Sequence, residues 1–181
     1  MRHYLICVIA LVLLSASQKA IGQSFSYSKI PALNIDDFKA STPEQSGKSV
    51  AHTTCSVLYD VESIRKVSGG GVMVTYKLQA IMRKERSWIN KNLLSDKKRL
   101  SEVLQHERGH VVIANILASK LKSKMSKIYY GDYVVQAREI FQTIFNEFRS
   151  FELKYDEETN HSINQIKQTE WNNKLKNILP N

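Results

Sequence analysis

The apolar positions of this 181-residue chain change their spacing several times, and each change predicts an element. Residues 4–14 are an almost unbroken apolar run. Residues 23–29 are mostly polar apart from Phe25 and Tyr27 and predict a frayed arm, after which Phe38 is placed to dock on a core. Residues 49–65 are rich in β-branched and aromatic side chains with partial alternation, and residues 72–82 alternate more cleanly. A period of two marks a half-buried strand, and Ser68-Gly69-Gly70-Gly71 between the runs is a turn signal. Together they predict a β-hairpin whose second strand reaches towards Trp88.

Beyond residue 95 the spacing becomes helical. Leu100, Val103, Leu104, Val111, Ile113, Ala114, Leu117 and Leu121 make a broad apolar stripe without proline. Ser95 and Asp96 offer N-caps for a helix ending near Met125. A break follows at Tyr129-Tyr130-Gly131, and Asp132 is placed to cap a second long helix with Ile140, Phe141, Ile144, Phe148 and Phe151 on its apolar face. Two helices joined by a short turn pack antiparallel. A last helix over residues 162–179 has Ile163, Ile166, Trp171, Leu175 and Ile178 for packing and Pro180 to close it. Strands followed by helices make this an α+β chain.

The start of the chain changes the count of what folds. Arg2 and His3 precede the apolar run, and Ala20-Ile21-Gly22 is a small-x-small cleavage site before Gln23. This pattern reads as a signal peptide over residues 1–22, since about eleven apolar residues are too few for a bilayer that needs about twenty. The expected mature chain, residues 23–181, is one exported domain, periplasmic or secreted, without a membrane span. Cys7 departs with the signal, leaving Cys55 and no intramolecular disulfide, so the core alone must hold the fold. Loss of Arg2 and Lys19 takes the formal charge from +9 to +7. The remaining lysines are spread along helices, which describes a solvated basic face better than a nucleic-acid patch.

The candidate chemistry is compact. His106 and His110 stand four apart on the first helix and so share a face, while Glu107 is offset by about 100°. Two imidazoles can thus ligate one ion, with a carboxylate close enough to take a proton from a water on it, the His-Glu-x-x-His arrangement of zinc peptidases. Gly109, mid-helix, costs about 1 kcal/mol relative to alanine, a sign that something packs closely there. A catalytic zinc takes three protein ligands, and the antiparallel return brings Asp156, Glu157, Glu158 and His161 back towards His106. His161 leads because imidazole is the commonest zinc ligand, and Glu158 stands second.

From residue 23 onward the chain resembles a bacterial family of predicted secreted zinc-dependent proteases, catalogued as domain of unknown function 922. The likeness rests on Leu33-Asn34-Ile35-Asp36-Asp37-Phe38-Lys39, Ser49-Val50-Ala51-His52-Thr53, Ser87-Trp88, His106-Glu107-Arg108-Gly109-His110, and Tyr155-Asp156-Glu157-Glu158-Thr159-Asn160-His161 with Gln168 and Trp171. It departs at Ile35, where the family usually has an aromatic residue, and at Ser162, where a glycine usually follows the histidine. The resemblance implies a zincin-like fold, Zn2+ on His106, His110 and His161, and Glu107 as general base, with Tyr155 or Asp156 supporting a ligand or an oxyanion. The expected activity is hydrolysis of a peptide or protein substrate by a zinc-activated water. The rival expectations are a non-catalytic, zinc-stabilised envelope-binding module and a peptidoglycan amide hydrolase.

Overall fold

The computed structural model describes residues 25–44, 46, 49–68, 71–125 and 133–179. The signal peptide expected over residues 1–22, the break at 129–131, the Asp132 cap and Pro180 lie outside them. The described chain is α+β: two small antiparallel sheets come first and three helices follow.

Strands β2 (Cys55–Val67) and β3 (Gly71–Met82) pair from Cys55↔Met82 to Val67↔Gly71, with one irregularity between Val61 and Ser63. Their alternation sorts the faces. Cys55 and Val57 on β2, and Val74, Tyr76 and Leu78 on β3, are buried, while Val61 and Ile64 at the outer part of the hairpin are exposed.

The second strand does not run on to Trp88. Lys84–Arg86 forms a 3₁₀ turn, and β4 (Trp88–Ile89) pairs instead with a short β1 (Ala51–His52). Between His52↔Trp88 and Cys55↔Met82 the earlier strand spends two residues and the later one five. Two hydroxyls hold that corner. Ser87 Oγ accepts from Thr54 N at 3.0 Å and donates to Arg83 O at 2.8 Å. Thr54 Oγ1 donates to Arg86 O at 3.1 Å. Ser87 is fully buried, so these bonds satisfy groups that water cannot reach.

Helix α1 (Lys97–Met125) is the centre of the molecule. Asp96 caps it, accepting from Arg99 N at 2.9 Å. From His106 to Leu121 it is buried on nearly every side, because the hairpin covers one flank and the other two helices cover the rest. Helix α2 (Tyr133–Thr159) runs antiparallel to it: His106 meets Thr159, His110 meets Glu152, and Lys120 meets Glu147, one number rising as the other falls. The segment expected beyond α2 is in fact its last turns, since Tyr155, Asp156 and Thr159 continue the buried stripe of Ile144, Phe148 and Glu152.

Helix α3 (Gln165–Ile178) starts later than expected, capped by Asn164, which accepts from Lys167 N at 3.1 Å. It packs through Gln168, Trp171 and Leu175, leaving Ile163, Ile166 and Ile178 exposed. Nor is the N-terminal arm frayed over its described residues. Arg108, on α1, donates to Ile30 O (2.8 Å), Pro31 O (3.2 Å), Tyr27 O (3.3 Å) and Tyr27 Oη (2.9 Å), with its guanidinium 4.6 Å from the Tyr27 ring centre. Phe38 is buried with Ala51, Ile89 and Val103 in a second, smaller core. Among the described residues no helix is long and apolar enough to cross a membrane.

Candidate metal centre

Gly109 explains how the two long helices come so close. A β-carbon there would lie 2.1 Å from Tyr155 Oη. The bare backbone lets the Tyr155 ring stack on His106, centroids 4.7 Å apart and planes within 9°. Tyr155 Oη donates to His106 O at 2.9 Å and accepts from Gln168 Nε2 at 2.8 Å. Burial pushes the Tyr155 phenol well above its ordinary pKa, so it stays a neutral donor.

These bonds fix the tautomers of the histidines. The Gln168 amide nitrogen is spent on Tyr155 and on Asn172 Oδ1 (3.0 Å), so Gln168 Oε1 faces His106 Nδ1 as an acceptor, 3.1 Å away. Thr159 Oγ1 gives its hydrogen to Tyr155 O at 2.7 Å and also stands 3.3 Å from His106 Nδ1. His106 Nδ1 therefore carries the proton. His110 Nδ1 likewise faces a carboxylate oxygen, Glu152 Oε1, at 3.4 Å. Both Nε2 atoms are then left with lone pairs.

Those lone pairs converge on a third acceptor. Asp156 Oδ1 lies 3.2 Å from His106 Nε2 and 3.1 Å from His110 Nε2. The contacts are short, yet Oδ1 makes no hydrogen bond of acceptable angle among the described residues. Three acceptors at this spacing repel unless positive charge lies among them. A tetrahedral ion with bonds of about 2.0–2.2 Å would hold neighbouring ligand atoms roughly 3.3–3.5 Å apart, close to what is found. All three atoms lie within 4.8 Å of one another and all three residues are buried. The outer nitrogens, held by Gln168 and Glu152, complete the arrangement expected of ligating histidines.

Without an ion the positive charge must be a proton. Burial alone would depress the His110 imidazole, but Asp156 and Glu152 outweigh it and hold it well above its ordinary value. Burial would likewise raise Asp156, but His110 and His106 hold its carboxyl far below the usual range.

Each residue expected at the site can now be placed. His106 and His110, expected to share one face of the helix, do so and are buried, 2% and 6% exposed. Glu107 is buried beside them, and its Oε2 has no hydrogen-bond partner among the described residues. Asp156, one of four candidates for a third ligand, joins the two histidines. His161, placed first, has a side chain 52% exposed, with Nδ1 3.9 Å from Asp156 Oδ1. It lines the mouth of a pocket walled by residues 49–52, His106, Glu107, His110, Asp156 and Ser162. Glu158 turns away, accepting from Trp171 Nε1 at 2.7 Å, and Glu157 is exposed. Glu152 went unrecognised as a supporting residue, although Glu152, Tyr155, Asp156 and Thr159 share one helical face at spacings of three and four, a signal present in the sequence. His52 also faces the pocket. Burial lowers its pKa, and its Nε2 donates to Thr54 Oγ1 at 3.2 Å, whose own hydrogen is spent on Arg86 O.

No curated protein and no solved structure matches the chain. Residues 25–162 match a family described as bacterial protein of unknown function, DUF922. That span covers most of the sequence and takes in both long helices and every residue of the His106–His110–Asp156 group, so the chain belongs to the DUF922 family of bacterial proteins.

Proposed function

We propose that the protein is an exported zinc-dependent peptidase. The observation that carries the reading is the convergence of His106 Nε2, His110 Nε2 and Asp156 Oδ1, three buried acceptors that need a cation, beside the unpartnered buried Oε2 of Glu107. Two imidazoles and one carboxylate suit zinc, and a set of three leaves a position open, as hydrolytic sites do. A bound zinc would supply Lewis acidity and lower the pKa of a water to about 7. The chain's own residues do the rest. Glu107 Oε2 takes a proton from the attacking water and returns it to the departing amine. Gln168 and Glu152 keep the imidazoles turned inward, and Tyr155 fixes the height of His106 against α2. Export rests on the basic, apolar and small-residue order of residues 1–22.

Elemental analysis of the purified chain, with digestion of denatured casein and of cell-wall material in the presence and absence of a chelator, tests this. One zinc per chain and chelator-sensitive cleavage of casein are expected. Glu107→Gln should keep the zinc and lose about a hundredfold or more of the rate, whereas His106→Ala, His110→Ala and Asp156→Ala should lose both. An active Glu107→Gln protein overturns the general-base role. Metal with no hydrolysis points to a binding module, and release from cell wall alone to an amide hydrolase.

A further inference from the structure

We propose that His161 is a catalytic residue of the peptidase reading, on which this inference rests: its imidazole donates a hydrogen bond to the carbonyl oxygen of the bond being cut, and Arg99 positions it. The first observation is backbone. Asn160, His161 and Ser162 have φ of 46°, 48° and 73°, three successive left-handed residues without a glycine. A helix end needs only one such residue to turn its chain away, usually glycine. Positive φ is uncommon outside glycine; asparagine and histidine visit the region more readily than most residues and serine rarely does, so three such residues in a row are unusual. Backbone in that state persists only where its surroundings over-determine it, and such residues gather at working sites.

The surroundings here are specific. His161 N donates to Asp156 O at 3.0 Å and Asn164 N to Thr159 O at 2.8 Å, closing the turn on the last turn of α2. From α1, Arg99 Nη1 donates to Ser162 O at 2.8 Å and Nη2 to Ser162 Oγ at 2.9 Å, while Ser162 Oγ donates to His161 O. The clamp grips Ser162 and, through Arg99 Nη2 at 3.5 Å, the carbonyl of His161, and leaves the ring itself alone.

The second observation is the ring. His52, His106 and His110 each have a nitrogen engaged by a neighbouring side chain. Among the described residues His161 has no hydrogen bond from either nitrogen, although its Nδ1 stands 3.9 Å from the oxygen that Asp156 contributes to the metal group. The strained turn thus holds a half-exposed imidazole, both nitrogens open, at the mouth of the pocket beside Glu107. A donor in that position serves a substrate oxygen that gains negative charge as the bond is attacked. Three ligands are already supplied by His106, His110 and Asp156, so the ring has no place to fill among them.

The test uses the full chain with zinc or Co2+, a peptide cleaved from casein, and a phosphinic peptide that mimics the tetrahedral state. In His161→Ala the zinc stoichiometry and the visible spectrum of the Co2+ form should match wild type, KM should change little, and kcat should fall about a hundredfold. Affinity for the phosphinic peptide should fall by a similar factor. His161→Asn, which tolerates the left-handed backbone and offers a donor near the position of Nδ1, should recover part of both losses. Arg99→Ala should lower kcat and phosphinate affinity with zinc retained. Loss of zinc or a changed Co2+ spectrum in His161→Ala would make His161 a ligand and overturn the proposal, as would unchanged kcat and phosphinate affinity. A zinc-loaded wild type that neither cleaves casein nor binds the phosphinic peptide refutes the peptidase reading itself and takes this role with it.

Discussion

Gly109 sets the distance between α1 and α2. In an ordinary helix interior, Gly→Ala gains about 1 kcal/mol. Here the added carbon would meet Tyr155 Oη at 2.1 Å and Cζ at 2.6 Å, both on a ring that is fully buried and cannot swing away. Overpacking of this kind costs about 1–3 kcal/mol, which offsets the propensity gain and more. The displaced ring is also the one that stacks on His106 and bonds its carbonyl, so the damage reaches the imidazole. Gly109→Ala should therefore lower Tm, where propensity alone predicts a rise, and weaken zinc binding about tenfold or more. Thermal unfolding and competition with a coloured chelator measure the two effects. A variant more stable than wild type with unchanged affinity would show that Tyr155 is free to move, contrary to the packing.

Single elements differ in how openly the sequence declares them. Helix α1 is legible because its cap, its apolar stripe and its paired histidines agree on one register. The last turns of α2 are hidden because Glu152, Tyr155, Asp156 and Thr159 look like a solvated tail, and they are buried only because the histidines of α1 need partners. Ile163 and Ile166 mislead in the opposite sense, apolar yet exposed, since the left-handed turn at 160–162 delays α3 until Gln165. The corner between β3 and β4 depends on Thr54 and Ser87 bonding across 33 residues, which no local pattern encodes. The N-terminal arm is ordered for a similar reason, because its carbonyls are held by a residue of α1, Arg108. From this a prediction follows at the same scale. Arg108→Ala removes a charged donor from three carbonyls and one hydroxyl, and hydrogen bonds to charged groups contribute about 1.5–3 kcal/mol. Loss on the order of 2 kcal/mol of stability is expected, with early proteolytic cleavage between residues 25 and 33. Among the described residues every hydrogen-bond partner of the Arg108 side chain lies on the arm, so zinc stoichiometry should not change. An arm that stays as resistant as wild type would break the link.

In the molecule as a whole, α1 supplies both histidines, α2 the carboxylates of Asp156 and Glu152, and α3 the amide of Gln168, so one small group of atoms ties all three helices together. Whatever cation sits among the acceptors acts as a crosslink, and proton and metal compete for the same lone pairs. In chelator the proton does the work. His110 is held above its ordinary value of 6.5, so its contribution to stability is fully present below about pH 6.5 and is lost as pH rises through the raised folded value. Asp156 is shifted the other way. Its contribution is present above about pH 3.9, its unfolded value, and is lost as pH falls through the much lower folded one. Above about pH 6.5, far from the range in which Asp156 takes up a proton, loss of the His110 proton is what weakens the metal-free fold. Over the same range zinc has to displace a proton from His110 less and less often, so its affinity and the stabilisation it confers both grow. The difference in Tm between zinc-loaded and chelated protein should widen steadily with pH across that window, and Asp156→Asn, which removes the larger of the two charges that raise His110 and leaves Glu152, should flatten the metal-free curve. Calorimetric scans at matched ionic strength measure it. A gap that stays constant or narrows would mean that no proton is shared between His110 and Asp156, and that the three acceptors are held together by packing alone.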